Sequence, residues 1–229
     1  SGKVIRRRLE RRFDSILKKI VLGEPEQVRN LSYARWLLDN SHIVRQTLKQ
    51  IATDLPPGYR KQLPTQANDD SVKKPEKREK QNTPRIFALV DEAVDQSGLP
   101  IDSDFLDQFF SVYGPNSESD EPLTLGEIWA IPTVLRILLL RRLCAAAEAC
   151  HDQQMLQDDE QADENDTDVT PVAGCIISLR TVATLNWPKF VEHTSQLEKL
   201  LRNDPSRVYS KMDFETRDRY RDAIEKISD

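Results

Sequence analysis

Three groups of residues have the types and spacing to do chemistry. Asp39, Asn40 and His42 place a carboxylate, an amide and an imidazole together in the middle of an apolar helical face. They read as a polar site or as a satisfied buried network, and the network is the plainer reading because unpaired groups there cost several kcal/mol in all. Glu127 stands three residues after Thr124, the spacing at which each side chain satisfies the other's orphan backbone N–H at a helix start. Arg136 shares a side with Trp129, seven residues earlier, so it stacks on the indole or reaches an acidic partner. Glu127 and Arg136 lie about half a turn apart round a helix axis, so they are not a catalytic pair. The third group is Arg6, Arg7, Arg8, Arg11 and Arg12, on a helix that can lie on an anionic membrane surface or enter a partner's groove. Its plainer alternative is a solvated basic face. Cys144, Cys150 and Cys175 lack any CxxC spacing and His42, His151 and His193 are scattered, so no metal-ligand set is expected. No cofactor is expected either.

The element that must position the rest runs from Pro122 to Glu148. Ile128 to Leu140 is the longest dense apolar segment, interrupted only by Pro132, Thr133 and Arg136. Its apolar residues cover nearly all sides of a helix, which means burial among other helices or in lipid. A bilayer span needs about 20 predominantly apolar residues, and Arg141 and Arg142 end this run too soon. A protein-buried helix over about 124–148 is expected, kinked at Pro132 by the lost i→i−4 bond.

The remaining elements follow from periodicity. Residues 3–21 form an amphipathic helix with Ile5, Leu9, Phe13, Ile16, Leu17 and Ile20 inward, and carry eight basic against two acidic residues between Lys3 and Lys19. One helix is expected over Glu26–Thr53, with Val28, Leu31, Trp36, Leu38, Ile43, Val44, Leu48 and Ile51 buried. Thr83-Pro84 starts another, capped by a hydroxyl and ending near Ser97-Gly98. Asp102–Tyr113 carries Phe105, Leu106, Phe109, Phe110 and Tyr113 on one face. Three more follow residue 170: one lined by Val172, Ile176, Ile177, Leu179, Val182 and Leu185, one capped by Asn186, and a last one capped by Asp213. Val208 and Tyr209 pack inward before that cap. Residues 65–82 and 151–170 are too polar to offset chain entropy and read as mobile insertions. The expectation is an all-α protein, one helical domain over 1–229.

A net charge of −5 and a pI near 5.4 argue against a general nucleic-acid binder. Scattered cysteines fit reduced cytosolic thiols, and the basic start with no apolar run after it is not a signal peptide. Ser1-Gly2 fits a piece cut from a longer polypeptide.

Several blocks, in this order, resemble a known family. They are LLDNSHI (37–43) with DLPPGY (54–59), PLTLGEIWAIP (122–132), SLR (178–180) with Asn186-Trp187, and Asn203-Asp204-Pro205 running on to MDFETRDRYR (212–221). LTLGEIWAIP and MDFETRDRYR are the specific ones. Together they are similar to the N-terminal soluble region of cyclic β-1,2-glucan synthases, very large bacterial membrane glycosyltransferases. The likeness covers most of residues 30–64, 84–148 and 175–228. It implies a non-catalytic, cytoplasmic helical segment at the inner face of the plasma membrane, serving assembly or regulation. The parent enzyme would be UDP-glucose-dependent, with further domains for cyclisation and phosphorolytic trimming. The partner would be the remainder of that enzyme or another protein, with an anionic membrane surface as a further candidate, and no nucleic acid. The sequence departs from the family in its charged 65–82 stretch and in the short acidic tract after Cys150, and it shows no DxD-type nucleotide-sugar site in a βα context. The alternative is a stand-alone scaffold or adaptor docking through its basic first helix. Glycan stacking on Trp36, Trp129 or Trp187 is a third possibility, though their apolar contexts point to the core.

Overall fold

The computed structural model describes residues 2–22, 32–55, 63–65, 83–114, 121–157, 170–187, 190, 201, 203, 205, 208–213, 216–217, 219–220 and 223–224. Expected core positions Val28, Leu31, Val191, Leu197, Leu200, Phe214 and Ile227, and the insertions at 66–82 and 158–169, lie outside them. The architecture is all-α, as the periodicity requires. The described helices are α1 (Gly2–Leu22), α2 (Ser32–Asp39), α3 (Ser41–Asp54), α4 (Arg85–Ser97), α5 (Ser103–Tyr113), α6 (Leu125–Gln157) and α7 (Thr170–Thr184), with a 3-10 turn at Tyr209–Lys211. The chain divides into two compact units, residues 1–105 with 130–184, and residues 106–129 with 185–229.

In the first unit α1 buries Leu9, Phe13, Ile16 and Ile20 on one side and packs against α2 and α3. Gly2 sits so close to the end of α3 that an added Cβ would lie 2.7 Å from the Ile51 carbonyl oxygen. The single helix expected over Glu26–Thr53 is instead two, broken at Asn40 (φ −107°, ψ 10°). The cause is local. Asn40 donates to the Trp36 carbonyl through its side-chain Nδ2 at 2.8 Å and its backbone N–H at 3.2 Å. An amide that competes for the backbone in this way favours a turn over continuing helix.

Helix α4 begins at Arg85 with Pro84 in the cap position, one residue later than expected. The Arg85 N–H donates to the Pro64 carbonyl at 2.9 Å, and Thr65 bridges Pro84. Gly98 ends the helix with φ +77° and its N–H on the Val94 carbonyl, a left-handed position that glycine takes without penalty. Asp102 precedes α5 and caps it, accepting the Phe105 N–H at 3.0 Å.

Helix α6 is the central element. From Ala130 to Leu140 every residue except the half-buried Arg136 is buried, and Leu143, Cys144, Ala147 and Cys150 continue the buried face. The helix passes through Pro132 without interruption and runs nine residues beyond the expected end at Glu148. Composition alone placed a polar linker from His151. Cys150 is buried, however, and His151 shares a hydrogen bond with Tyr33, which holds the last turns in place.

Helix α7 packs on α2 and α3. Its inward face is made of small residues as well as large ones: Gly174, Cys175 and Ser178 are buried, whereas Ile177, expected inside, is 39% exposed. The small side chains permit close approach. An added Cβ on Gly174 would lie 2.9 Å from Leu99 Cβ. Ser178 Oγ accepts the buried Ile101 N–H at 2.8 Å and donates to the Gly174 carbonyl at 2.7 Å. Ser178→Ala strands that N–H away from water, so a loss of about 1–3 kcal/mol is expected in urea unfolding. Threonine, which keeps the hydroxyl, should restore part of it if the bond is the cause. An unchanged alanine variant would contradict the assignment.

The second unit is held by aromatic rings. Phe109 lies 5.1 Å from Tyr113 and 5.5 Å from Phe110, and Phe110 meets Phe190 edge-on at 4.8 Å. Phe190 in turn meets Trp187 at 5.7 Å, again edge-on. Such pairs add about 0.5–1.5 kcal/mol each beyond their buried area. The expected box at the start of α6 is formed: Thr124 N–H donates to Glu127 at 3.0 Å and Glu127 N–H donates to Thr124 Oγ1 at 3.2 Å. Asp213 caps the turn at Thr216, whose N–H reaches Oδ1 at 2.8 Å. Tyr209 is buried as expected, but Val208 is 52% exposed.

Candidate functional site

Four polar ties of the first unit converge on α6. On α1, Arg12 grips Glu148 with two bonds, Nε to Oε1 at 2.9 Å and Nη2 to Oε2 at 2.6 Å. On α2, Tyr33 shares a 3.0 Å hydrogen bond with His151 Nδ1. On α3, Asp54 accepts from Arg136 at 2.8 Å. On α4, Asp91 and Asp95, one helical turn apart, both accept from Arg142, at 2.5 and 2.7 Å. At about 100° per residue, Arg136, Arg142, Glu148 and His151 point in four directions round α6, at roughly 0°, 240°, 120° and 60°. One helix thus ties four others, each by a different side. These are bonds between fixed groups, and their chemistry is orientation.

The environment tunes several of these groups. Burial pulls the Arg136 guanidinium below its usual value, outweighing the opposing pull of Asp54. For Arg142, burial also acts to lower the value, but Asp91 and Asp95 together overcome it and raise the net result. Burial pushes the Tyr33 hydroxyl to about 12, the Cys144 thiol to about 11 and the Cys175 thiol to about 12. All three cysteines are free and buried; Cys144 and Cys175, with their raised values, stay protonated at neutral pH and are poor nucleophiles.

Of the residues singled out by sequence, Asn40 is buried and accepts a 2.5 Å bond from Arg180, while Asp39 and His42 are exposed. Among the described hydrogen bonds, none joins Asn40 to Asp39 or His42. Glu127 is fully buried within its helix-start box, and Arg136 has Asp54 as its partner. Arg6 pairs with Glu10 one turn away at 3.3 Å and Arg12 with Glu148. Arg7, Arg8 and Arg11 remain exposed. Trp187 is buried, and Trp36 and Trp129 are half-buried. Sequence reasoning passed over Asp54, Glu148, Asp91, Asp95 and Arg180. Asp91 and Asp95 left a trace as acids at i and i+4 on one helix face, and Asp54 and Arg180 by falling in the DLPPGY and SLR blocks.

No protein-family model matches the chain. It is similar, distantly, to cyclic β-(1,2)-glucan synthase NdvB of Rhizobium meliloti (strain 1021). Identity is 23% over 266 aligned positions, covering 85% of this chain and 9% of that protein. The chain therefore spans under a tenth of the length of the curated relative it matches. Four of the residues placed above, Asn40, Asp54, Glu127 and Arg180, lie in the sequence blocks that carry the family resemblance. Among the described residues no helix is long and apolar enough to cross a membrane, and no group of three or more His, Cys, Asp or Glu is placed to hold a metal ion.

The Arg12–Glu148 tie has a pH signature. The hydrogen bond from Arg12, against desolvation, holds the Glu148 carboxyl below its ordinary 4.5. A carboxyl depressed by folding contributes in full above its unfolded value, and that contribution is lost as pH falls through the folded one. Stability should therefore decline below about pH 4.5, and Glu148→Gln should make that decline shallower. Urea midpoints measured from pH 7 down to pH 3 check this. Identical acid limbs for the two proteins would contradict it.

Proposed function

We propose that this chain is a non-catalytic helical module associated with a membrane glycosyltransferase of the cyclic β-1,2-glucan synthase kind, serving that enzyme's assembly or regulation. The observation that carries the reading is the alignment itself: most of this chain matches a small fraction of a synthase. The use of the chain's partly buried charges supports it, because Arg12, Arg136 and Arg142 are spent in holding helices in position. Helices tied to one another by such pairs suit a module that presents surfaces to a larger enzyme.

Membranes of the source cells, assayed for glucose transfer from UDP-glucose into β-1,2-glucan, test the proposal. Deleting residues 1–229 should lower either glucan output or the amount of assembled synthase in the membrane. The purified chain should transfer no glucose. Glucan formation by the purified chain alone would overturn the non-catalytic reading. Unchanged output and unchanged synthase after the deletion would overturn the association.

A further inference from the structure

The structure changes which part of α1 is available to a partner. Its apolar side, Leu9, Phe13, Ile16 and Ile20, is buried against the protein, so the helix cannot insert that side into lipid. The opposite side has a composition of its own. At about 100° per residue, Arg7, Arg8, Arg11, Ser15, Lys18 and Leu22 all fall within roughly 60° of the direction of Val4, and every one of them is exposed. Val4 and Leu22, 64% and 71% exposed, lie on the same line along the helix. They are separated by about 27 Å at 1.5 Å per residue. The strip is a band of four cations spread over about 100° of the helix surface, with an apolar residue at each end and no acid within it.

Among the described residues, the neighbouring charges leave this row free. Asp14, at one edge, is paired with Arg45 at 3.0 Å. Lys19, at the other edge, faces Glu148, whose carboxyl it helps to hold down. Arg6 and Arg12 are engaged elsewhere.

We infer that this strip docks the protein, lying flat, on an anionic lipid surface. A cationic band along one side of a helix matches a plane of headgroup charge, with attraction growing with each Lys or Arg brought near it. Two exposed aliphatic side chains aligned with the row gain from the acyl boundary. A nucleic-acid backbone would satisfy the cations but offers Val4 and Leu22 nothing. The inference rests on α1 alone and stands independently of the synthase relationship.

The test is co-sedimentation of the full chain with vesicles of phosphatidylcholine alone and of phosphatidylcholine with phosphatidylglycerol. The protein should bind the anionic vesicles, be released by 0.5 M salt as about a 4 Å screening length requires, and ignore the neutral ones. Arg7→Gln/Arg8→Gln/Arg11→Gln/Lys18→Gln should bind more than about tenfold more weakly. Arg35→Gln/Lys49→Gln/Arg141→Gln/Lys211→Gln, which removes the same charge from exposed positions elsewhere, should bind like the parent. Val4→Ser/Leu22→Ser should weaken vesicle binding while leaving retention on a short duplex DNA unchanged. Circular dichroism confirms that each variant is folded. Equal losses in the strip and control variants would overturn the inference, as would no binding to anionic vesicles. So would tighter binding to the DNA than to vesicles at equal phosphate.

Discussion

Leu135→Ala is expected to lower the unfolding free energy by about 2–5 kcal/mol, the range for truncating a fully buried leucine. Leu135 has 0% of its surface exposed and sits in the part of α6 that is buried all round. Three conditions place the cost toward the upper part of that range. The flanking residues Val134, Ile137, Leu138 and Leu139 are themselves buried. The helix is anchored next door by Arg136 to Asp54, so it cannot slide to fill the void. Well-packed interiors also relax only partly around a missing isobutyl group. Leu22→Ala, on the 71% exposed end of α1, is the matched control and should fall within about 0.5 kcal/mol of the parent. Urea titration followed by far-UV circular dichroism reads both. A Leu135→Ala loss below about 1 kcal/mol would mean that α6 is not the packed centre of its unit.

The second large effect concerns Asp54 and Arg136, and its informative feature is asymmetry. The Arg136 side chain is 12% exposed and that of Asp54 is 28% exposed. Removing the carboxylate strands a guanidinium that burial already disfavours. Asp54→Ala should therefore cost about 2–4 kcal/mol, somewhat less than a fully buried broken pair because Asp54 retains contact with water. Arg136→Met removes the charge itself and fills the same channel with an apolar chain, so its cost should be smaller. In the double variant Asp54→Ala/Arg136→Met no charge is stranded, and most of the Asp54→Ala loss should be recovered. A double-mutant cycle on urea midpoints measures this. Simple additivity of the two single changes would show that the pair is not coupled.

Much of the fold was legible because its signals are local. The 3.6-residue period of α1, the Thr124–Glu127 box, the Gly98 stop and the Asp213 cap each depend on residues a few positions apart. The break at Asn40 was not legible, because the apolar repeat continues across it and only the amide's choice of the Trp36 carbonyl decides the turn. On α7 the apolar residues alone misplaced Ile177. The face that packs is marked by Gly174 and Ser178, small residues that admit Leu99 and Ile101. The ties to α6 were illegible for a different reason. Arg12 and Glu148 are 136 residues apart, Arg136 and Asp54 are 82 apart, and Arg142 and Asp91 are 51 apart. An ion pair is a statement about proximity, and nothing in local spacing encodes proximity at such separations.

The four ties along α6 also make its phase a global property of the first unit. Inserting a single alanine after Ile137 would turn every later residue by about 100° and advance it by about 1.5 Å. Arg142, Glu148 and His151 would then miss Asp91, Arg12 and Tyr33 together, even though none of them had been changed. The same alanine placed after Leu22 leaves the residue count within α1 and within α6 unchanged. Comparing the thermal midpoints of the two insertions would show α6 acting as a toothed rack, in which residue count itself carries structural information.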